Sequence, residues 1–143
     1  MTLSFKKLKI LNVQQVFPFI LIVAGVVGLL ASFVLIQEHN ALLKDPNHIP
    51  SCSINPVLSC GPVMQSSTAT VFGFPNPLIG IATFSVQILL GVVLLAKAKM
   101  KSWFWKLYSL EVVGGLLFMF YLMYESLFVI KAICIYCLGV WIV

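Results

Sequence analysis

The chain has 143 residues, 61% of them hydrophobic and 9% charged. A soluble domain carries roughly 45–50% apolar and about 25% charged residues, so this composition excludes one and defines an integral membrane protein. The net charge of +5 comes from nine lysines without an arginine, and no basic stripe interleaved with aromatics accompanies it, which excludes nucleic-acid binding.

The first apolar run, residues 16–36, is uncharged for 21 residues and follows Lys6, Lys7 and Lys9. It is longer than a signal-peptide core and lacks a small-x-small cleavage site, so it reads as a retained helix. A second run covers 77–96, and a third 107–130 with Glu111 and Glu125 towards its ends, within reach of interfacial water. Each of the three is long enough for the roughly 30 Å hydrocarbon core. A fourth run, 132–143, would rise only about 18 Å as a helix, so the chain is expected to end inside an incomplete fourth span. The reading is a single all-α membrane domain over 1–143, with an outer loop at 37–76.

Lysines set the orientation. Lys6, Lys7 and Lys9 precede the first span and Lys97, Lys99, Lys101 and Lys106 lie between the second and third, whereas 37–76 holds only Lys44. The positive-inside rule puts the N-terminus and the 97–106 loop in the cytoplasm. The outer loop and the 131–134 turn then share the opposite, oxidising face, and with them all four cysteines.

Six of the seven prolines fall between Pro46 and Pro77, so the outer loop is not one helix. A short helix is expected from Val63 to Phe72, with Val63, Met64, Val71 and Phe72 on one apolar side lying along the membrane surface. Cys52 and Cys60 are separated by seven residues that include Pro56. Such a loop brings two sulfurs within bonding range, and a structural disulfide there is the plain reading.

Cys134-Ile-Tyr-Cys137 carries more chemistry. At a helix start the first thiol meets the positive end of the helix dipole, and the second follows on the same face three residues later. Lys131 adds a positive charge that favours thiolate if its ammonium points that way. Zinc sites share the Cys-x-x-Cys spacing.

Together these residues resemble the bacterial homologues of vitamin K epoxide reductase. The likeness rests on Cys52-Ser-Ile-Asn-Pro-Val-Leu-Ser-Cys60 in the outer loop, Ser66 six residues on, Phe72-Gly73 before the second span, and Cys134-Ile-Tyr-Cys137 opening the fourth. It implies a four-transmembrane-helix bundle around a quinone pocket, located in a bacterial inner membrane and coupled to disulfide formation in exported proteins. By the same resemblance Cys137 would meet the quinone, Cys134 would exchange with Cys60, and Cys52 with Cys60 would relay electrons from a thioredoxin-like partner. Each step is thiolate attack on a disulfide, which a mobile outer pair can perform with a soluble partner and a membrane-level pair in turn. Ser66 would hydrogen-bond the quinone or the Cys137 thiolate, although a serine there also fits a cap. Asn76 stands where some members keep an amide able to donate to the quinone, and equally suits a turn.

Two departures accompany the likeness. Trp141 occupies the place where vertebrate enzymes keep a tyrosine, which implies stacking or indole donation instead of a phenol contact. No fused thioredoxin-like domain follows Val143, so the partner is expected as a separate protein or beyond the chain's end. Which quinone is accepted stays open between ubiquinone, menaquinone and vitamin K types.

Other patterns carry less. His39, His48, Glu38 and Asp45 with Cys52 match no zinc spacing, so no metal is expected. Gly25-x-x-Gly28 and Gly114-Gly115 suit close helix packing. Phe118, Phe120, Tyr121 and Tyr124 form a stripe suited to packing or an interfacial belt, two of which could line a quinone pocket. Two alternatives to thiol–quinone chemistry remain: a metal-binding or transport protein using the four thiolates, and a non-catalytic bundle with bracing disulfides.

Overall fold

In a computed structural model of the protein the backbone is described for residues 2–142 and side chains for 16–142. The side chains of Lys6, Lys7 and Lys9, which weigh in the orientation, and Val143 of the fourth run lie outside the described residues. Helix α1 spans Thr2–Lys44. Helix α2, Cys60–Gln65, is followed by a 3₁₀ turn at Ser67–Thr70. Helices α3, Pro77–Leu95, and α4, Ser102–Tyr124, come next, and α4 runs on as a π-helical segment at Glu125–Ile130. Helix α5 covers Ile135–Ile142.

Among the described residues three segments are long and apolar enough to cross a membrane: Val16–Lys44, Pro77–Leu95 and Ser102–Ile130. The expected fourth span appears as α5, eight residues long.

Helix α1 outruns the expected boundary at Ile36 by eight residues. The polar run Gln37-Glu38-His39-Asn40 ends the apolar sequence yet holds no glycine or proline, so nothing stops the helix. Asp45-Pro46 stops it, because proline disfavours helical backbone in the residue before it. The Asp45 carboxylate then accepts the Asn47 amide at 3.0 Å and turns the chain. The outer loop proper is therefore 45–76.

The expected helix over 63–72 is displaced and broken. It begins at Cys60, stops at Gln65, and Ser66 stands between the two pieces in extended backbone. Met64 is buried, but Val71 and Phe72 are 40% and 61% exposed, so the four apolar residues do not share a side. Helix α4 likewise begins five residues before Leu107, the expected start. Glu111 therefore lies nine residues inside α4, about 13 Å from its start at 1.5 Å per residue, and not near a helix end.

α1 and α3 pack along their length as an antiparallel pair: Gly25 lies against Phe84 and Ile88, and Gly91 against Pro18 and Ile22. In lipid, apolar surface gains little by burial, so close backbone approach at small residues drives association. A Cβ on Gly91 would meet Ile22 Cγ1 at 2.6 Å and the Pro18 carbonyl at 2.9 Å, and the second of these cannot rotate away. Gly28 meets the Phe84 ring in the same seam. Gly114 and Gly115 correct the expectation: a Cβ on either meets nothing within 4 Å. Gly115 sits where α4 stands off from the α1–α3 pair and leaves a cavity.

Candidate functional site

Burial concentrates at one end of the molecule, around sulfur. Leu35, Leu42, Cys52, Cys60, Met64 and Cys134 form one buried cluster, with Val63, Tyr136 and Cys137 packed against it.

A short backbone pairing aligns the two cysteine-bearing segments. Leu58 pairs with Ile133 in parallel sense. The Ile133 amide donates to the Val57 carbonyl at 2.7 Å, and the Ser59 amide donates to the Ile133 carbonyl at 3.1 Å. Cys60 follows Leu58 by two residues and Cys134 follows Ile133 by one. The return of the chain to this bridge depends on Lys131, whose left-handed φ of 57° turns it out of the π-helical segment. The Ala132 amide and carbonyl then both bond to buried Ser126.

The result is a row of sulfurs. Cys52 and Cys60 form a disulfide with Cα atoms 5.7 Å apart. Cys60 Sγ lies 2.8 Å from Cys134 Sγ. Cys134 and Cys137 are free thiols. Cys134 precedes α5, outside the three spanning segments, and a hydrogen bond from the Cys137 thiol holds its own thiol below the usual range, helped by the Cys137 and Tyr136 amides and opposed by burial. Lys131, expected to supply this effect, is exposed and not among its causes. The hydrogen bond and first-turn amides of a Cys-x-x-Cys supply it instead.

Thiols Cys134 and Cys137 also line a cavity of about 600 Å³ between α1, α3, α4 and α5, a size that suits a small organic ligand. Its wall is mainly apolar, with Leu35, Phe118 and Trp141, and a few polar groups, among them Asn76, Gln87 and Glu111. Asn76 uses one amide hydrogen on the Thr68 carbonyl at 2.6 Å, and its oxygen accepts the Val71 amide at 3.2 Å. Its second amide hydrogen remains for a ligand.

Ser66 is placed differently from the others. Its hydroxyl donates to the Val63 carbonyl at 2.7 Å and meets Thr68 Oγ1 at 2.9 Å, while Thr68 and Ala69 stand in the cavity wall. Of the aromatic stripe on α4, Phe118 faces the cavity. Phe120, Tyr121 and Tyr124 are exposed on the outer surface.

Glu38 ties the outer loop to the end of α1. Its carboxylate meets His48 Nε2 at 2.9 Å and accepts the amide and hydroxyl of Ser51, the residue before Cys52. Cys52 is only 3% exposed beneath this latch. Glu38→Ala is expected to speed reduction of the Cys52–Cys60 disulfide by a soluble dithiol roughly fivefold, since charge-assisted bonds at a solvated edge are worth about 1 kcal/mol net. An unchanged reduction rate, followed by maleimide trapping, would remove Glu38 from control of the loop.

Cys52, Cys60 and Cys134 lie within 4.8 Å of one another, a spacing that could serve a soft metal ion. The Cys52–Cys60 bond engages two of the three, and sulfur in a disulfide is not a thiolate ligand. His48 is paired with Glu38 and His39 faces the cavity, so the set formed by Glu38, His39, Asp45, His48 and Cys52 does not converge.

Membrane-length helices, a disulfide at one end and a free dithiol touching it define a multi-pass membrane oxidoreductase of thiols. The sequence matches the model of the Vitamin K epoxide reductase family over residues 19–143. The chain belongs to that family.

Proposed function

We propose that the protein passes electrons from a thioredoxin-like partner through Cys52–Cys60 and then Cys134–Cys137 to a quinone, and so generates disulfide bonds in exported proteins. The observation that carries this reading is the unbroken sulfur row. It starts in the outer loop, crosses a 2.8 Å contact, and ends at a thiol in a cavity wall.

The chemistry runs one exchange at a time. The partner's dithiol attacks the outer disulfide at Cys52 and becomes oxidised, leaving Cys52 and Cys60 reduced. Cys60 attacks Cys134 of an oxidised inner pair and frees Cys137. Cys52 then attacks Cys60, which restores the outer disulfide and releases Cys134 as a thiol. An oxidised outer pair beside a reduced inner pair, the arrangement present here, is the product of that sequence. The inner thiols then give up two electrons and two protons as they re-form their disulfide.

A quinone suits the cavity because an apolar wall with Trp141 and Phe118 accepts a flat ring, and Asn76 offers a free N–H to a carbonyl oxygen. When bound it supplies a two-electron, two-proton acceptor. Ser66 supports the site through Thr68, and with it the 3₁₀ turn that Asn76 grips. Residues 1–143 act as one domain in a bacterial inner membrane, N-terminus in the cytoplasm and cysteines on the periplasmic face, as the lysine distribution supports.

The test is reduction of a short-tail ubiquinone or menaquinone by the purified protein supplied with a reduced thioredoxin-like protein. Turnover coupled one to one with partner oxidation is the expected result. A folded protein with its disulfide intact and no turnover on either quinone would leave the disulfide as a brace.

A further inference from the structure

Helix α1 beyond residue 36 presents Leu35, His39 and Leu42 at i, i+4 and i+7, which is one helical face. Leu35 and Leu42 pack in the sulfur cluster, so His39 lies between them on the side turned to the thiols. It is only 9% exposed, and its ring lines the same cavity as Cys134 and Cys137. His48 is held by Glu38, whereas the ring nitrogens of His39 are engaged by no side chain or carbonyl among the described residues and, since no buried polar atom there lacks a partner, they stay open to the cavity. An imidazole on a cavity wall with accessible nitrogens is free to donate to or accept from whatever enters.

Imidazole is the side chain whose ordinary titration range lets it both take and give a proton near neutral pH. The reaction proposed above needs that service. Two S–H bonds break, one S–S bond forms between Cys134 and Cys137, and two electrons and two protons must reach the acceptor's oxygens.

We propose that His39 is the proton carrier of this step: its imidazole takes a proton from a thiol of the Cys134–Cys137 pair and returns it to a quinone oxygen in the shared cavity. The assignment rests on the quinone reading of the site. The imidazole carries the two thiol protons in turn, so two electrons and two protons pass from the dithiol to the quinone, which becomes a hydroquinone, with the Cys134–Cys137 disulfide formed and His39 unchanged at the end. The other titratable groups in the cavity wall are Cys134, Cys137, Tyr108 and Glu111.

Two measurements test it. With excess dithiothreitol replacing the protein partner, His39→Gln is expected to lower the kcat of quinone reduction about 100-fold, the usual scale for a lost acid–base group, with the quinone KM little changed. Free imidazole should restore part of the rate in His39→Ala. Separately, in reduced protein without quinone, alkylation of the inner thiols at neutral pH should be slower in His39→Gln than in the wild type, because the group that takes their proton is gone.

Wild-type turnover with His39→Gln within twofold of it overturns the assignment and leaves the quinone reading intact. Should His39→Gln fail to fold, His39→Ala with and without free imidazole decides, since equal rates in the two also overturn it. A wild type that reduces no quinone removes the functional reading, and this inference with it.

Discussion

Cys137→Ala is expected to abolish quinone reduction with every reductant, a loss of at least 1,000-fold on the order set by removing a covalent redox group, while leaving the Cys52–Cys60 disulfide in place. The reason is position. Cys137 is the thiol beyond Cys134 in the row and stands in the cavity wall. Without it the inner pair cannot close a disulfide. The double variant Cys52→Ala with Cys137→Ala makes the geometry itself testable. It keeps only Cys60 and Cys134, whose sulfurs lie 2.8 Å apart across 74 positions of sequence. Mild oxidation should join them nearly quantitatively, visible as one cross-linked peptide pair by mass spectrometry. By contrast, Cys52→Ala alone should still turn over with a small dithiol yet fail with a protein partner. Full quinone-dependent activity in Cys137→Ala would remove the electron path proposed for this site.

Filling the cavity is the second large effect. Gly115→Phe places a ring where a Cβ meets nothing within 4 Å, on a wall facing the inner thiols. The substitution replaces an interior helix glycine by a residue of somewhat better helix propensity, a gain of a few tenths of a kcal/mol or about 0.5 at most, so the fold should not lose stability. Quinone turnover should nevertheless drop by about tenfold or more, because the lost volume belongs to the ligand. Exchange between Cys60 and Cys134 should proceed at the wild-type rate. Undiminished turnover in a folded Gly115→Phe protein would place the acceptor elsewhere.

These expectations separate exchange from acceptor chemistry, and the separation follows the architecture. Exchange depends on the Leu58–Ile133 bridge and the Glu38 latch, both at the end of the molecule where the sulfur cluster sits. Acceptor binding depends on the gap between α4 and the α1–α3 pair, deeper along the helices. The small-residue seam that binds α1 to α3 gives that cavity one fixed wall.

The sequence by itself determined the membrane class, the ends of three spans to within eight residues, and the presence of two cysteine pairs. Hydropathy and cysteine spacing are local properties, and both survive in a linear reading. Helix ends were legible only where a breaker marks them. Asp45-Pro46 closes α1, but the polar residues 37–44 read as loop, because hydropathy reports the thickness of the solvent and not the length of the helix. That error hid His39, since its register with Leu35 and Leu42 exists only if the helix continues. Likewise Gly25 and Gly114-Gly115 look alike in sequence, yet the first meets a facing backbone and the others meet open space. Tertiary structure alone decided that Ser66 bonds within its own turn while Asn76 reaches the cavity, and that Glu111 faces that cavity. Each depends on segments distant in sequence meeting at a few ångströms, and no periodicity in a single chain encodes such a distance.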